Sequence, residues 1–313
     1  MPRWIFYWVF SLLVLAGCKG PAGQVAGDGT LNLVATTNVV ADLAAVIGGE
    51  RVRVRALMGP GVDPHLYKAS EGDLRRIAGA DVVVFNGLHL EARMGDVLGR
   101  LAGRPRPVAV AEAIPAELLL DDPDEGGMAD PHVWFDPELW ARAGVYLAEF
   151  LAELDPEAGE YYRSRAAAME SMALELLAEL RQMVEVVPAE KRVLVTAHDA
   201  FGYFGRAFGF EVHGMQGMST VTEAGAADVQ ALASFVAERR IPAIFVESSV
   251  SPRTIQALQA AVRARGFEVA IGGELFSDAL DAPGTPAGNW AGMMRQNVAT
   301  IVAGLAPNGR RIQ

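Results

Sequence analysis

PEAGEYYRSRAAAMESMALELLAELRQMVEVVP, residues 156–188, is the most regular stretch of the chain. Tyr162, Ala166, Met169, Ala173, Leu176, Leu180, Met183 and Val187 recur alternately four and three residues apart, so they share one face of a helix. No proline interrupts the run between Pro156 and Pro188. The spacing predicts one helix over 155–187, its apolar stripe about 45 Å long at 1.5 Å per residue. A coiled-coil dimer would also use such a stripe, but this seam holds two alanines and lacks sustained Leu or Ile pairs. It reads better as a rigid strut buried against its own flanking lobes, in a monomer.

Outward from that helix, both halves alternate short β-rich runs with longer helical ones. LNLVAT (31–36), RVRVRALM (51–58), DVVVFNG (81–87) and PVAVA (107–111) precede it. RVLVTA (192–197), EVHGM (211–215), AIFVES (243–248) and FEVAIGG (267–273) follow it, with helices expected over 226–240 and 252–265. This rhythm predicts an α/β fold of two similar lobes with mostly parallel sheets, 30–154 and 188–313, joined by the long helix. Pro252 behind a Ser251 cap should open the second of those helices, and Gly266 should end it in a left-handed conformation.

The N-terminus addresses the compartment. Arg3 precedes an apolar run from Trp4 to Leu15 that ends in Leu15-Ala16-Gly17-Cys18. A run of about twelve residues is short of the roughly 20 that span a bilayer, so 1–17 reads as a cleaved lipoprotein signal peptide. Cys18, the single cysteine of the 313 residues, would carry the lipid that holds the protein at a membrane surface, and 18–29 would be a flexible tether. The protein is expected outside the cytoplasm, in the periplasm or on the outer face of the cell membrane. A formal charge of −11, from 27 basic and 38 acidic residues with no basic patch, argues against nucleic acid as a partner.

Two of the five histidines share a context, Asp63-Pro64-His65 and Asp130-Pro131-His132. Proline fixes φ just before each imidazole and keeps the preceding aspartate extended, so each ring is presented from a stiff loop. A loop histidine taken alone is more often solvated than a ligand; the doubled context points to metal. His198 follows Val193-Leu194-Val195-Thr196-Ala197, at the carboxyl end of an expected strand where open sheets bind ligands. Asp278 also follows an expected strand and by itself reads equally as a surface residue or helix cap. Three imidazoles and one carboxylate would suit a borderline first-row cation, Zn2+ or Mn2+, one ion per chain, whereas calcium and magnesium prefer all-oxygen sets.

These residues carry a resemblance. GPGVDPHLY (59–67), DPHVWFDP (130–137), TAHDAFGYF (196–204), GMSTVTEAG (217–225), IFVESS (244–249) and IGGELFSDAL (271–280) are similar, in order, to the motifs of the TroA-like metal-binding solute-binding proteins of bacterial ABC importers. The resemblance implies that His65, His132, His198 and Asp278 are the metal ligands, two from each lobe, and that a membrane permease receives the ion. It implies a single long connecting helix, as the spacing does independently. A histidine at position 198 leans towards zinc, because manganese-type members often carry glutamate there. The short acidic segment 120–128 lacks the histidine-rich loop frequent in zinc-type members.

Glu247, ending AIFVES, is expected either to brace a ligand imidazole or to cap the next helix. His89 reads as a satisfied core or cleft residue, and neither it nor His213 falls at a ligand position of the family. Trp134, Phe135, Phe201, Tyr203 and Phe204 could wall a site from water. Two other readings compete with a carrier. A secreted zinc hydrolase would use the three histidines with water in an open position, but no His-Glu-x-x-His or Gly-x-Ser-x-Gly is present and Asp278 would fill that position. An adhesin with a structural ion would be unfolded when empty.

Overall fold

The computed structural model describes Met1 and residues 29–306, apart from 102, 104 and 123–126. The expected signal peptide, Cys18, nearly all of the tether and the acidic centre of 120–128 lie outside the described residues. In chain order the elements are β1 (Leu31–Ala35), α1 (Asn38–Gly48), β2 (Val52–Ala56), α2 (Glu71–Ala78), β3 (Val82–Phe85), α3 (Gly95–Leu98), β4 (Arg106–Ala109), β5 (Asp121–Asp122), β6 (Met128–Ala129) and α4 (Pro137–Leu154). Then follow α5 (Gly159–Val184), β7 (Val193–His198), α6 (Gly202–Phe208), β8 (Glu211–Gln216), α7 (Ala226–Arg239), β9 (Ala243–Glu247), α8 (Arg253–Arg263), β10 (Ala270–Leu275) and α9 (Trp290–Leu305).

Each β-rich run read from the sequence forms a strand. Val82, Val83 and Val84 are fully buried, as are Ala243, Ile244 and Phe245, because helices cover both faces of a parallel sheet. The first four strands pair in parallel in the order β2-β1-β3-β4. In the second half β7 pairs with β8 and β9 with β10, again in parallel. With β7 lying against β9, the order β8-β7-β9-β10 repeats that of the first sheet. Both sheets therefore reverse direction of growth between their first and third strands, and a crevice opens there at the carboxyl ends.

The long helix occupies Gly159–Val184 within the expected 155–187. Its 26 residues span about 39 Å. Before it, Pro156–Ala158 form a single 3-10 turn, and the buried Asp155 carboxylate is held by Arg51 Nη2 at 2.7 Å and Tyr162 Oη at 3.0 Å. The stripe is buried as the spacing requires, except that Met183 is half-buried and Val184 takes its place in the core. The helix packs on α1 and α4 from the first half and on α6 and α9 from the second.

One hydrophobic cluster runs without a break through both halves, taking in Leu33, Leu43 and Trp140 as well as Phe204, Met293 and Ile301. The last helix, α9, closes it: Trp290 Nε1 donates to Trp134 O at 2.8 Å, and Trp290 N donates to Asp42 Oδ2 at 2.9 Å. Asn38 exchanges two hydrogen bonds with the backbone of Leu280, at 2.8 and 2.9 Å. Gly266 is left-handed at φ 80°, as expected, whereas α8 begins at Arg253 with only a 3.4 Å contact from its amide to Ser251 Oγ. Among the described residues no helix is long and apolar enough to cross a membrane.

Leu176 is fully buried on α5, and Leu174, two residues away, is half exposed. Leu176→Ala should cost about 2–5 kcal/mol, since it leaves a cavity in a close-packed interior. Leu174→Ala should stay within about 0.5 kcal/mol. Urea denaturation of the two variants checks the contrast.

Candidate metal centre

The loops that follow strand ends bring four side chains to one point. His65 sits in the loop after β2, His132 after β6 at the entrance to α4, His198 is the last residue of β7, and Asp278 follows β10. All four are buried, at 0–1% exposure. One potential ligand atom from each lies within 4.8 Å of the others. The imidazoles surround a common space, with ring centroids 5.3–5.8 Å apart.

Local sequence explains each placement. In both Asp-Pro-His loops the aspartate folds back on the histidine it precedes: Asp63 Oδ1 accepts from His65 N at 2.8 Å, and Asp130 Oδ1 from His132 N at 2.9 Å. Asp130 Oδ1 also lies 2.7 Å from His132 Nδ1, which directs Nε2 inward. Asp136, in the second Asp-Pro of DPHVWFDP, caps α4 through Glu138 N and Leu139 N, with Pro137 opening the helix. The β10 strand bulges between Ile271 and Glu274. A Cβ at Gly272 would come within 2.6 Å of Phe245, and Gly273 has φ 139°, so this bend needs both glycines. Beyond it, Asn297 fixes Phe276 through both backbone groups, at 2.9 and 2.8 Å.

Glu247 resolves one of the open alternatives. It braces His198, with Oε1 accepting from His198 N at 2.9 Å and Oε2 lying 2.6 Å from Nδ1, and it caps no helix. Because His198 ends β7 and Glu247 ends β9, this pair sits on the crevice of the second sheet. Trp134 stands edge-on to His132 at 5.3 Å, Phe135 packs on Phe201 at 4.6 Å, and Phe204 packs on Phe201 at 6.2 Å. Tyr203 Oη donates to Asp130 O at 2.9 Å. All five aromatics are fully buried; Trp134 lies against His132, and all of them belong to the hydrophobic core. His89 is exposed, not a core residue, and His213 stacks on Phe235 at 4.2 Å away from the cluster.

Sequence reasoning missed three supports. Ser249 Oγ donates to Asp278 Oδ2 at 2.8 Å, Asn297 holds the approach to Asp278, and Thr220 Oγ1 donates to Asp63 Oδ2 at 2.6 Å across the halves. The repetition of Asp before Pro-His signals the backbone bonds of Asp63 and Asp130; nothing in the sequence marks Asn297.

The polar atoms facing inward are the decisive observation. His65 Nε2, His132 Nε2, His198 Nε2 and Asp278 Oδ1 are buried and have no hydrogen-bond partner, an expensive condition in a folded interior. His132 Nε2 lies 3.3 Å from Asp278 Oδ1, and His198 Nε2 lies 3.5 Å from Asp278 Oδ2. A tetrahedral ion with bonds of about 2.0–2.1 Å spaces its donors about 3.3–3.4 Å apart. The cluster can therefore hold one metal ion.

Charge follows the same logic. Burial drives the His65 imidazole down to about 3, so it is a neutral donor. Burial also opposes charge on His132, but Asp130 and then Asp278 outweigh it and hold the ring up at about 9. At His198 burial is likewise overcome, by Glu247 and Asp278, and the ring is held well above its usual range. Burial would raise Asp278, yet the His198 and His132 imidazoles keep it well below the usual carboxylate range.

The family described as "Zinc-uptake complex component A periplasmic" matches residues 33–304. The chain belongs to this ZnuA family. It is 47% identical over 300 residues to the zinc-binding protein TroA of Treponema pallidum, covering 95% of this chain and 97% of that one. It is 43% identical over 297 residues to the manganese-binding lipoprotein MntA of Bacillus subtilis, with 95% and 97% covered. The solved structure of the periplasmic zinc-binding protein TroA from Treponema pallidum superposes with a TM-score of 0.85 at 48% identity, over 89% of this chain and all of that one. The α/β fold with parallel sheets that the sequence pattern predicts is the fold of this ZnuA-family neighbour.

Replacing Asn297 with Ala strips the Phe276 amide and carbonyl of their buried partners. It should lower stability by roughly 1–3 kcal/mol, read as a reduced midpoint in thermal unfolding of the metal-free protein.

Proposed function

We propose that the chain binds one divalent transition-metal ion, zinc in preference to manganese, through His65, His132, His198 and Asp278, and delivers it outside the cytoplasm to the permease of an ABC importer. One observation carries the reading: four buried donor atoms without hydrogen-bond partners converge on a space the size of a single ion. Zinc is favoured because Ser249 engages Asp278 Oδ2 and leaves Oδ1 as the free oxygen. Four donors then suit a tetrahedral ion better than one preferring six oxygen-rich ligands. Manganese is the second reading, supported by the name of the Bacillus subtilis relative.

The metal is cargo, and no reaction is performed on it. Asp278 takes the place that a water would need for hydrolysis, and the ZnuA family consists of substrate-binding components of metal importers. We place the ion between two lobes, 30–154 and 188–313, with α5 lying across both. The continuous core and the α9 contacts leave little room for a wide hinge, so capture and release use small shifts of the lobes. Cys18 is the proposed site of lipid attachment, holding a monomer at the membrane surface beside the permease.

Metal-free protein titrated with zinc should saturate at one ion per chain, and competition should rank zinc above manganese. Asp278→Ala should abolish tight binding. Glu247→Gln should weaken it about 10–100-fold by loosening the His198 ring. Failure of the wild-type protein to take up either metal overturns the reading. Solution scattering should give nearly the same radius of gyration with and without zinc; a large contraction would sink the small-shift account.

A further inference from the structure

Among the described residues the four donors are buried, and a small cavity reaches one of them. His65 lines an open cavity of about 30 Å³ whose walls include His89, Met128, Pro131 and Met218. Two larger cavities, each of about 420 Å³, touch none of the four donors. His65 Nε2 has no hydrogen-bond partner and its residue is 1% exposed, so the cavity is bounded by a residue that carries an unsatisfied buried donor. At the outer rim His89 and Met128 are exposed, while Met218 is buried on the side contributed by the second half.

The rim is held in an unusual conformation. Gly87, Leu88 and His89 are consecutive left-handed residues, with φ of 86°, 51° and 64°. Leu and His are disfavoured there, because the Cβ crowds the following carbonyl. The turn is fixed from within by the buried Glu91 carboxylate, which accepts from Asn86 N at 2.8 Å, Gly87 N at 3.2 Å and Thr36 Oγ1 at 2.7 Å. Asn86 Nδ2 in turn donates to Gly87 O at 3.1 Å and to Pro131 O at 2.9 Å. The strained turn that presents His89 is thereby tied to the loop that presents His132. Strain sustained by so many partners points to a use for the residue it displays.

The lining sets the chemistry of passage. An ion on its way to the buried His65 exchanges water for protein donors, and the donors on this wall include an imidazole and thioethers. Imidazole and thioether do this well for zinc and softer cations and poorly for manganese.

We infer that this cavity is the port to the metal centre, and that His89 and the Met218 sulfur form a transient pair of ligands that hand a borderline or soft divalent cation to His65. The inference rests on the metal-binding reading above and adds selection by rate to selection by affinity. His89 contacts the ion only in passage, so its loss must slow arrival and departure by the same factor.

The test is stopped-flow mixing of the metal-free full chain with zinc chloride or manganese chloride, for wild type, His89→Asn and Met218→Leu. Asparagine tolerates the left-handed backbone and removes the imidazole; leucine keeps the packing and removes the sulfur. For zinc, His89→Asn should lower the association and dissociation rates together by about tenfold, the effect of a barrier raised by one lost interaction, with Kd unchanged. Met218→Leu should slow zinc in the same paired way, and manganese rates should change by less than about twofold in both variants. Unchanged zinc association in both variants overturns the port, and so does a Kd that rises while dissociation stays constant or accelerates. Should His89→Asn fail to fold, Met218→Leu decides alone. Wild-type protein that binds no zinc at equilibrium defeats the proposed function instead, so the two failures are told apart.

Discussion

A carboxylate buried with no lysine or arginine beside it must be neutralised by something else. Among the described residues Asp278 is in that position, and two imidazoles face it at 3.3 and 3.5 Å. Protons on His132 and His198 are one solution and a divalent cation is the other, because both place positive charge in the same space. The surrounding carboxylates sharpen the choice. Asp130 and Glu247 each grip the outer nitrogen of one ring, so both rings are good proton acceptors and good metal donors at once. The remaining ring, His65, is bare on its inner nitrogen and is kept neutral by burial. Every other feature of the centre serves to hold these charges in register.

Register is supplied by the way the two halves are joined. Their sheets have the same strand order and present their crevices to each other, but the hydrophobic core does not divide with them. α5 packs on helices from both sides, and the tryptophans at positions 134 and 290 stitch α9 to the loop carrying His132. Trp134 Nε1 also donates to Ser277 O at 3.1 Å, next to Asp278. A displacement of one half would strain packed aromatics and buried hydrogen bonds alike, and close-packed interiors resist such changes. Donor spacing is thus inherited from the core.

Much of this was legible in the sequence, for reasons that can be stated. The central strands were readable because parallel strands buried on both faces become short Val- and Ile-rich runs, and α5 because its stripe repeats over seven turns without a proline. Asp-Pro-His is legible because its rigidity is local: proline acts on its neighbours and aspartate reaches two residues on. His198 and Asp278 needed the family motifs, since a residue after a strand has many possible fates. What stayed hidden depends on distant pairing. The bond from Thr220 to Asp63 and the hold of Asn297 on Phe276 join segments that no local pattern connects. Of the two readings of His89, core and cleft, the core one fails, because its exposure follows from a left-handed turn fixed by Glu91 and neither Leu nor His advertises that conformation.

The return of α9 to the first half bears on how the chain comes to be folded. α1, α4 and α5 cover much of one another, and Trp290, Met293 and Ile301 of α9 complete the cluster they belong to. During synthesis the part of their apolar faces that α9 covers stays open until Trp290–Leu305 has been added. Contacts that span most of the chain also form slowly, because their loop-closure cost comes before any packing gain. The nascent polypeptide must be shielded from aggregation at that surface until α9 has emerged to cover it.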